Sequence, residues 1–546
     1  MRKINIDDIK WLYRTSKGVR TKAIWNCILG LIQIALDLTF IWLSKICIDI
    51  ATGKDIRHSL QWAVILLIVS VFCSLLINYS RSWVGAVLGT RSQNIMQLKT
   101  FSRLMHNVWQ GRESMHSGDS VNRLIQDSSN ITNVITDTTP GIFCTVIRLL
   151  AAFLFLYNMQ PTLSVIMLCI APLFLIISQF YIRKMKALSR DIRQTESQIQ
   201  MTLQENLQNR TVIKTLGQSS NVVQSLSSLQ ETRVNRIKNK TRFSSLSSLI
   251  TNMGFATGYL VTFTWGVYGL MNGEITYGMM MAFVQLVGQI QGPFRSMIAY
   301  FPIIISAMVS VERIREMEQI PVEDEGSQTL IKGNVGIKFD DVSYAYNDNG
   351  LAVLEHFSHD FKPGSFTAVL GETGSGKTTM IRLALALVRP SEGRVTLYNG
   401  TTEYESSSNT RCNIIYVPQG NTLLSGTVRE NLLLGNPKAT DVQMIEMLEL
   451  CCAGFVIESR EGLNLTIGED GLGLSEGQAQ RICIARSLLR KGNILLLDEV
   501  TSSIDQETEK KIIERITHRA SQLGQTVIFI THRTRALEYC DNVVRI

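Results

Sequence analysis

The chain has 546 residues and a formal net charge of +8, and 18% of its residues are charged. This length predicts two or three domains. Soluble proteins usually carry about a quarter charged residues, and the low average here hides two unlike halves, a long apolar one up to about residue 318 and an ordinary soluble one from about residue 332. The ten cysteines show no CxxC spacing and are interpreted as reduced, small hydrophobic residues rather than metal ligands. No nucleic-acid partner is expected.

Residues 1–20 predict an amphipathic elbow helix on the cytosolic face of a membrane. Trp11 and Leu12 would contact lipid, and basic side chains such as Arg14 would face the headgroups. Asp7 lies within this basic segment and no cleavage site follows, so a signal or transit peptide is not expected.

Residues 1–318 predict a membrane domain. A bilayer core about 30 Å thick requires a helix of roughly 20 apolar residues, and six segments of the sequence satisfy this requirement. They cover about 23–50, 61–88, 138–157, 162–182, 247–271 and 277–305. Because buried helices of soluble proteins are shorter and amphipathic, these segments predict an all-α membrane domain.

Lysine and arginine concentrate between the second and third segments and between the fourth and fifth, whereas the opposite connections are short. Basic loops face the cytosol, so a multi-pass protein of the cell (inner) membrane is expected, with both termini and the C-terminal half in the cytosol. The basic segments carry helix-forming sequence. The membrane helices should therefore extend into the cytosol and turn near Trp109–His116 and Asn206–Gly217.

Asp37 and Arg148 lie inside predicted spans. Ionisable groups at this depth usually face a cavity or a partner. Two interpretations stay open: an internal Asp37–Arg148 ion pair, and a cavity that binds an amphipathic or anionic substrate.

Residues 319–331 predict a linker, and 332–546 a soluble α/β nucleotide-binding domain. Its strongest motif runs from Gly371 to Thr378, between a strand-like run, Phe366–Leu370, and a helical run. This is the context of a phosphate loop, in which glycine backbone and a helix N-terminus surround phosphates. The candidate ATP-binding residues are Gly371, Thr373, Gly374, Ser375, Gly376, Lys377, Thr378 and Thr379, with Thr378 also on Mg²⁺.

A second apolar strand, Ile494–Leu497, ends in Asp498 and Glu499. A carboxylate at Asp498 can hold Mg²⁺, and Glu499 can polarise the attacking water. Together with the phosphate loop, this pair predicts an ATPase.

Between these motifs, Leu474-Ser475-Glu476-Gly477-Gln478 resembles the Leu-Ser-Gly-Gly-Gln signature of the ATP-binding cassette (ABC) family. The resemblance implies a P-loop ATPase that completes its site only in a dimer, where Ser475, Gly477 and Gln478 of one copy close over ATP bound to the other. The resemblance also implies roles for residues outside the signature. Gln419 would bind Mg²⁺ and take part in catalysis, and Asp505 would lie in the loop that crosses the dimer. His532 would contact the γ-phosphate, and Tyr346 would stack on adenine.

The membrane half is similar to the exporter branch of this family, most clearly in LMNGEITYGMMMAFVQLVGQIQGPFRSM and SVERIREME. This similarity implies ATP-driven export or flipping of a lipid, drug or peptide. The partner would be a second copy in a homodimer, or a homologous half-transporter in a heterodimer with unequal sites. An ATP-gated regulatory module is a third reading.

Two departures from the family pattern matter. Glu476 replaces the first signature glycine, and we expect its carboxylate to point away from the phosphates. The sequence ends after Asp541–Arg545, where family members commonly continue. We expect this to affect regulation or edge stability rather than chemistry.

Overall fold

The computed structural model describes residues 6–18, 20–54, 59–109, 117–324, 326–346, 352–372, 374–400, 402–468, 471–501, 503–531 and 534–546. The chain folds as two compact units. A helical unit contains Met1–Phe101 and Ser120–Met317, and an α/β unit contains Ser102–Asp119 and Glu318–Ile546. Residues 102–109 therefore pack with the α/β unit, although the residues before them belong to the helical unit. The turn predicted near Trp109–His116 lies, after Trp109, outside the described residues.

Long α-helices build the helical unit. In chain order these are α1 (Ile6–Thr15), α2 (Arg20–Ala51), α3 (Leu60–His106), α4 (Ser117–Asn122), α5 (Ser128–Asn133), α6 (Thr139–Met159), α7 (Pro161–Gln208), α8 (Arg210–Thr215), α9 (Ser219–Met271) and α10 (Tyr277–Gln319). The π-helical turns Arg123–Asp127 and Val134–Thr138 join α4, α5 and α6 into one continuous run.

The longest helices exceed the thickness of a bilayer. Helix α7 has 48 residues and α9 has 53, which at 1.5 Å per residue gives roughly 70–80 Å, more than twice a bilayer core. This agrees with the expected extension beyond the membrane. The short helix α8 lies at the turn expected near Asn206–Gly217.

Within the described residues, Ala23–Ala51, Leu60–His106 and Asp119–Met159 are long and apolar enough to cross a membrane. These ranges contain the first three predicted segments. The later segments fall on α7, α9 and α10, and the side chains of 166–183 lie outside the described set. The number of spans therefore stays a prediction.

A buried apolar cluster joins α2, α6 and α10, with Ile41, Leu156 and Phe283 at most 2% exposed. Helix α10 begins close to α2, where the Gly278 amide donates a 3.1 Å hydrogen bond to Asp49 Oδ1. A Cβ at Gly278 would lie 2.8 Å from Asp49 Cγ, so glycine is required for this approach.

Helix α1 packs against protein, so Trp11 and Leu12, which were predicted to contact lipid, are half-buried, and their contact with lipid stays a prediction. Both side chains cover a buried cluster from α3, α5 and α10, which consists of Met96, Ile131, Val311 and Ile314. Asp8 pairs with Arg315 on α10. An amphipathic pattern defines an apolar face but does not distinguish a lipid neighbour from a protein neighbour.

The α/β unit contains an antiparallel sheet and a parallel sheet. The strands are β1 (Gly336–Tyr344), β2 (Leu354–Phe361), β3 (Phe366–Leu370), β4 (Glu392–Asn399), β5 (Thr402–Glu405), β6 (Ile414–Val417), β7 (Gly426–Thr427), β8 (Thr466–Ile467), β9 (Ile494–Asp498), β10 (Thr526–Ile530) and β11 (Asn542–Arg545). The antiparallel sheet has the order β2-β1-β4-β5, the parallel sheet β11-β3-β10-β9-β6, and β7 pairs with β8.

The helices of this unit are α11 (Lys377–Ala384), α12 (Val428–Gly435), α13 (Asp441–Leu450), α14 (Gly454–Glu458), α15 (Glu476–Leu488) and α16 (Gln506–Gln522). Strands β9 and β10 are buried along their whole length, as expected for a parallel sheet covered on both faces. The carboxyl ends of β3, β6 and β9 share one edge, which is where ligands bind in open α/β sheets.

The predicted linker, 319–331, is held within the α/β unit. Arg411 makes two 2.9 Å contacts with the Glu323 carboxylate. The Glu323 amide donates to His106 O and the Val108 amide donates to Pro321 O, each at 2.8 Å. The end of α3 and the linker are thus fastened together within this unit.

Candidate nucleotide site and membrane cavity

The loop between β3 and α11 has the backbone that phosphate binding requires. Gly374 and Gly376 have φ values of +91° and +101°, which glycine adopts without strain. A Cβ at Gly376 would also lie 2.8 Å from Val353 O. Successive backbone amides in such a loop, followed by a helix N-terminus, create positive potential for a phosphate.

Polar side chains inside this loop are arranged for an anion. Lys377 is 8% exposed, and its Nζ donates to Gly371 O at 2.5 Å and to Glu372 O at 3.2 Å. Ser375 Oγ is buried without a hydrogen-bond partner among the described residues. Buried polar atoms are normally paired, so this hydroxyl and the lysine fit a phosphate oxygen in the loop.

Sheet register brings Gln419 to Glu499. Strands β6 and β9 pair in parallel with Val417 opposite Leu497, so the residues two positions after this pair come together. Gln419 Nε2 donates a 2.8 Å hydrogen bond to Glu499 Oε2. Glu499 has a φ of +46°, a left-handed backbone that is uncommon for this residue type and is often found at functional sites.

Asp498 lies at the buried end of β9 and is 7% exposed. Its Oδ2 accepts a 3.2 Å hydrogen bond from the Tyr416 hydroxyl. Burial raises the pKa of this carboxyl group, and the bond from Tyr416 opposes that rise.

The donor set at this edge fits Mg²⁺. Thr378, Gln419 and Asp498 offer hydroxyl, amide and carboxylate oxygens, the ligand types that Mg²⁺ prefers. Among the described residues no group of three His, Cys, Asp or Glu side chains could hold a metal ion. This suits an ion that takes most of its ligands from nucleotide phosphates and water.

The signature residues form the N-terminus of α15. Ser475 caps the helix by accepting a hydrogen bond from the Gln478 amide at 3.3 Å, and Gln478 Oε1 accepts from the Ser475 amide at 3.0 Å. This capping box commits the Gln478 side chain to the helix cap. Ser475 itself remains exposed.

Glu476 points toward Ser503, whose hydroxyl donates to Glu476 Oε2 at 3.3 Å. A Cβ at Gly477 would lie 2.7 Å from Ser503 O, so that position requires glycine. Two residues further on, Asp505 caps α16 by accepting a 3.0 Å hydrogen bond from the Thr508 amide. That bond lowers the pKa of Asp505.

Gln480 is a site residue that the sequence analysis missed. It is 2% exposed, its Oε1 accepts from the Ser503 amide at 3.2 Å, and its Nε2 donates to Glu499 O at 3.5 Å. Gln480 thereby ties the signature helix to both Glu499 and Ser503. A glutamine inside an otherwise apolar helix face was the available signal.

Tyr346 lies beside α11. Its hydroxyl is 3.0 Å from Thr379 Oγ1 and accepts a 2.6 Å hydrogen bond from Arg382 Nη1. The Arg382 guanidinium carbon also lies 4.5 Å from the centre of the Trp109 ring. The sequence analysis named Trp109 only as the start of a turn and did not name Arg382.

Two predicted site residues, Thr373 and His532, lie outside the described residues. The structure brings Gln419 together with Glu499, and Tyr346 with Thr379. The signature residues belong to a separate element, the α15 N-terminus.

The helical unit confirms the predicted Asp37–Arg148 pair. Arg148 Nη2 lies 2.9 Å from Asp37 Oδ2, and Gln33 Nε2 donates to Asp37 Oδ1 at 3.0 Å and to Ser74 Oγ at 2.6 Å. The pair borders a cavity of about 570 Å³ that also has Phe40, Leu75, Gln285 and Gln289 in its wall. The internal pair and the cavity, which the sequence left as alternatives, occur together.

Two family models match successive parts of the chain. The model described as ABC transporter transmembrane region matches residues 24–294, and the model described as ABC transporter matches residues 354–502.

Relatives share this two-part organisation. A Rickettsia prowazekii protein named as an export ATP-binding/permease protein is 25% identical over 549 residues, covering 98% of this chain and 94% of its own length. A serine protease/ABC transporter B family protein of Dictyostelium discoideum, tagA, is 27% identical over 90% of this chain, and the chain spans 28% of that protein.

A solved structure titled as a bacterial Atm1-family ABC exporter with ATP bound superimposes with a TM-score of 0.82, covering 97% of this chain and 93% of that one. Its identity of 20% makes this a likeness of fold alone. The predicted fold class, a helical exporter-type membrane domain followed by an α/β P-loop ATPase, is confirmed.

Proposed function

Because the chain belongs to the ATP-binding cassette transporter family, as an exporter half-transporter, we propose that it exports amphipathic or hydrophobic substrates by alternating access. The ATPase domain binds ATP and hydrolyses it in a cycle coupled to transport. The proposal concerns the substrate class, the dimer and the roles of individual residues.

The observation that carries the proposal is the meeting of Gln419 and Glu499 beside Asp498, at the sheet edge where the phosphate loop begins. In this arrangement Lys377 and Ser375 hold phosphate oxygens, and Glu499 polarises the attacking water. Thr378, Gln419 and Asp498 would hold Mg²⁺, which neutralises phosphate charge when bound. Gln419 connects the metal position to Glu499.

Tyr346 provides the adenine platform in this proposal, and Gly371, Gly374, Gly376 and Thr379 complete the phosphate cradle. Thr373 and His532, which the family resemblance assigns to the phosphates, retain those roles as proposals.

We propose that two copies complete two ATP sites. A half-transporter requires a partner, and Ser475 is exposed at the N-terminus of the 13-residue helix α15. That end carries positive potential suited to the γ-phosphate of ATP bound to the other copy. The signature, Lys377 and Glu499 are all present in this chain, which favours a homodimer over a heterodimer with an inactive site. Asp505 would cross the dimer interface.

The cavity beside Asp37 and Arg148 is the proposed substrate site, since it combines apolar walls with a few polar groups. The distribution of basic residues supports a location in the cell (inner) membrane, with the ATPase domain in the cytosol. Membrane lipid is then both solvent and a candidate substrate.

Purification of the chain alone, followed by reconstitution into liposomes, tests the proposal. We expect ATP hydrolysis by the single chain and ATP-dependent uptake of a fluorescent amphiphile into vesicles whose ATPase domains face outward. Glu499→Gln is the control, with uptake abolished. Hydrolysis only after addition of a homologous half-transporter would indicate a heterodimer. ATP binding without directional uptake would overturn export in favour of a gating module.

A further inference from the structure

A polar groove separates the cytosol-facing parts of α2 and α3 from the π-helical turn Val134–Thr138. Its volume is about 560 Å³. The side chains that give it polar character are Asn26, Asn78, Arg81, Gln93, Asn133 and Asp137. It is distinct from the cavity beside Asp37 and Arg148, which other residues line.

Arg81 is the cation of this groove. Its single hydrogen bond runs from Nε to Asn26 Oδ1 at 3.3 Å, and within the described part of the chain no carboxylate lies within 4 Å of it. Arg148, by contrast, is paired with Asp37. Ionisable groups within or at the end of a membrane span usually face a cavity, a partner or the interface, so Arg81 is open to an anion or water in the groove.

The position of Arg81 along α3 corresponds to a membrane interface. It lies 21 residues after Leu60, the first residue of α3, which at 1.5 Å per residue is about 32 Å, close to the thickness of a bilayer core. Tyr79 and Trp83, on the same helix, are 71% and 61% exposed. Exposed tyrosine and tryptophan favour the level of lipid headgroups, so the groove lies where a polar headgroup would be.

The groove and the deeper cavity lie next to each other along one face of α3. Ser74 lines the deeper cavity and Asn78 lines the groove. Residues four apart in a helix lie on the same face about 6 Å apart. The deeper cavity has apolar walls, with Leu36, Phe40 and Leu75 among its lining residues. Polar and apolar compartments thus follow each other from the interface inward.

We infer that Arg81 is the anion subsite of the substrate site, and that the exported substrate is an amphiphile with a zwitterionic headgroup and a tail in the deeper cavity. The inference rests on the proposed export function and names its substrate class. A guanidinium binds phosphate or carboxylate through paired N–H donors. Asp137, exposed on the same groove, faces the positive group of the head. A cationic head is repelled by Arg81, and a head that carries only negative charge is disfavoured by Asp137.

Single-chain amphiphiles with one dodecyl tail and different heads test this assignment in nanodisc-reconstituted protein. The probes are dodecylphosphocholine, dodecyl sulfate, dodecyl maltoside and dodecyltrimethylammonium, each below its micelle concentration. The readout is the concentration that gives half-maximal stimulation of ATP hydrolysis. We expect dodecylphosphocholine to act at a concentration at least tenfold lower than the neutral and cationic probes.

Variants separate charge recognition from general damage. Arg81→Gln should raise the half-maximal concentration of dodecylphosphocholine about tenfold or more, since charge-assisted hydrogen bonds to the head are lost, and should leave that of dodecyl maltoside unchanged. Arg81→Lys should keep part of the preference for dodecylphosphocholine over the neutral and cationic probes. Asp137→Asn should lower the half-maximal concentration of dodecyl sulfate to that of dodecylphosphocholine. Arg91→Gln is the matched control, because Arg91 is exposed on the same helix and does not line the groove.

The possible failures are distinguishable. If none of the probes stimulates the wild-type protein or is transported by it, export of amphiphiles itself is contradicted. If all of them stimulate equally, or Arg81→Gln weakens all of them equally, the Arg81 assignment is overturned while export stands. If tail-free glycerophosphocholine stimulates hydrolysis as strongly as dodecylphosphocholine, the substrate is a small polar solute rather than an amphiphile, and the assignment is also overturned.

Discussion

Arg382 stacks on Trp109 with its guanidinium carbon 4.5 Å from the ring centre, and it donates a 2.6 Å hydrogen bond to the Tyr346 hydroxyl. Trp109 follows the end of α3, whose first 41 or so residues run through the helical unit. Arg382 belongs to α11, directly after the phosphate loop. The contact therefore connects the end of a predicted membrane helix to the proposed adenine platform.

This contact predicts that adenine binding is transmitted through Arg382. Tyr346→Phe keeps the stacking ring and removes the hydroxyl, so the KM for ATP should change by no more than about twofold while stimulation of ATP hydrolysis by amphiphiles is largely lost. Trp109→Ala should behave in the same way. Tyr346→Ala also removes the stacking surface and should raise the KM for ATP about tenfold, since base stacking contributes about 1–3 kcal/mol.

Basal and amphiphile-stimulated ATPase rates measured across ATP concentrations check this prediction. Tyr404→Phe, on β5, serves as the control and should match the wild type. If amphiphiles stimulate ATP hydrolysis fully in both Tyr346→Phe and Trp109→Ala, the Trp109–Arg382 contact contributes only to packing and does not transmit adenine binding. An unchanged KM in Tyr346→Ala would instead remove Tyr346 from the adenine site.

Glu499→Gln should slow ATP turnover by about 10²–10⁴-fold, the range typical of losing a general base. The amide is isosteric with the carboxylate and can still accept the bond from Gln419, so ATP binding should persist and bound ATP should be trapped. Retention of radiolabelled ATP after gel filtration, measured beside steady-state hydrolysis, checks both expectations. Glu507→Gln, on an exposed surface, is the control. Near-normal turnover in Glu499→Gln would assign water activation to another residue.

The bond from Ser503 to Glu476 holds a negative charge at the signature turn away from the helix end that is proposed to face ATP. Ser503→Ala should release that carboxylate and lower the maximal ATPase rate by up to about fivefold, as expected for one solvent-screened charge interaction. Glu476→Gln should restore the rate in the Ser503→Ala background and have little effect alone. The ATPase rates of the wild type, the two single variants and the double variant form a double-mutant cycle, which measures the coupling between Ser503 and Glu476. Independent effects of the two substitutions would show that the contact does not control the charge.

The Asp37–Arg148 pair should stabilise the helical unit. Asp37→Asn leaves Arg148 without its counter-charge. Both side chains are half-buried beside the cavity, so the cost should be smaller than the ~3–5 kcal/mol typical of breaking a fully buried pair. We expect a clear fall in the thermal unfolding midpoint in detergent micelles. Asp37→Asn combined with Arg148→Met should recover most of the loss, because neither charge then remains. Failure of the double variant to recover would mean that Asp37 contributes through Gln33 or the cavity rather than through Arg148.

The motifs that bind phosphates were predictable from sequence because they are local. Lys377 lies in a continuous loop, and Glu499 directly follows an apolar strand. The role of Gln419 came from resemblance, whereas its contact with Glu499 was not predicted and follows from the β6–β9 register. Depth and charge left the Asp37–Arg148 pair as one of two interpretations, and the structure was needed to show it.

Contacts between distant segments were not predictable in the same way. Arg382 stacks on Trp109 across more than 270 positions of sequence, and no local pattern encodes that choice of partner. Trp11 and Leu12 have the same amphipathic spacing whether they cover lipid or protein. The direction of the Glu476 side chain depends on Ser503, which a separate loop supplies.

Co-purified mixed dimers test most directly whether each ATP site is shared between two copies. Lys377→Ala disables the phosphate loop and Ser475→Arg disables the signature, so each variant alone should be inactive. Differently tagged copies of the two variants, isolated as a mixed dimer, retain one site built from Lys377 of one copy and Ser475 of the other. The mixed dimer should regain up to about half of the wild-type ATPase rate. A mixed dimer no more active than either variant alone would contradict a site shared between two chains.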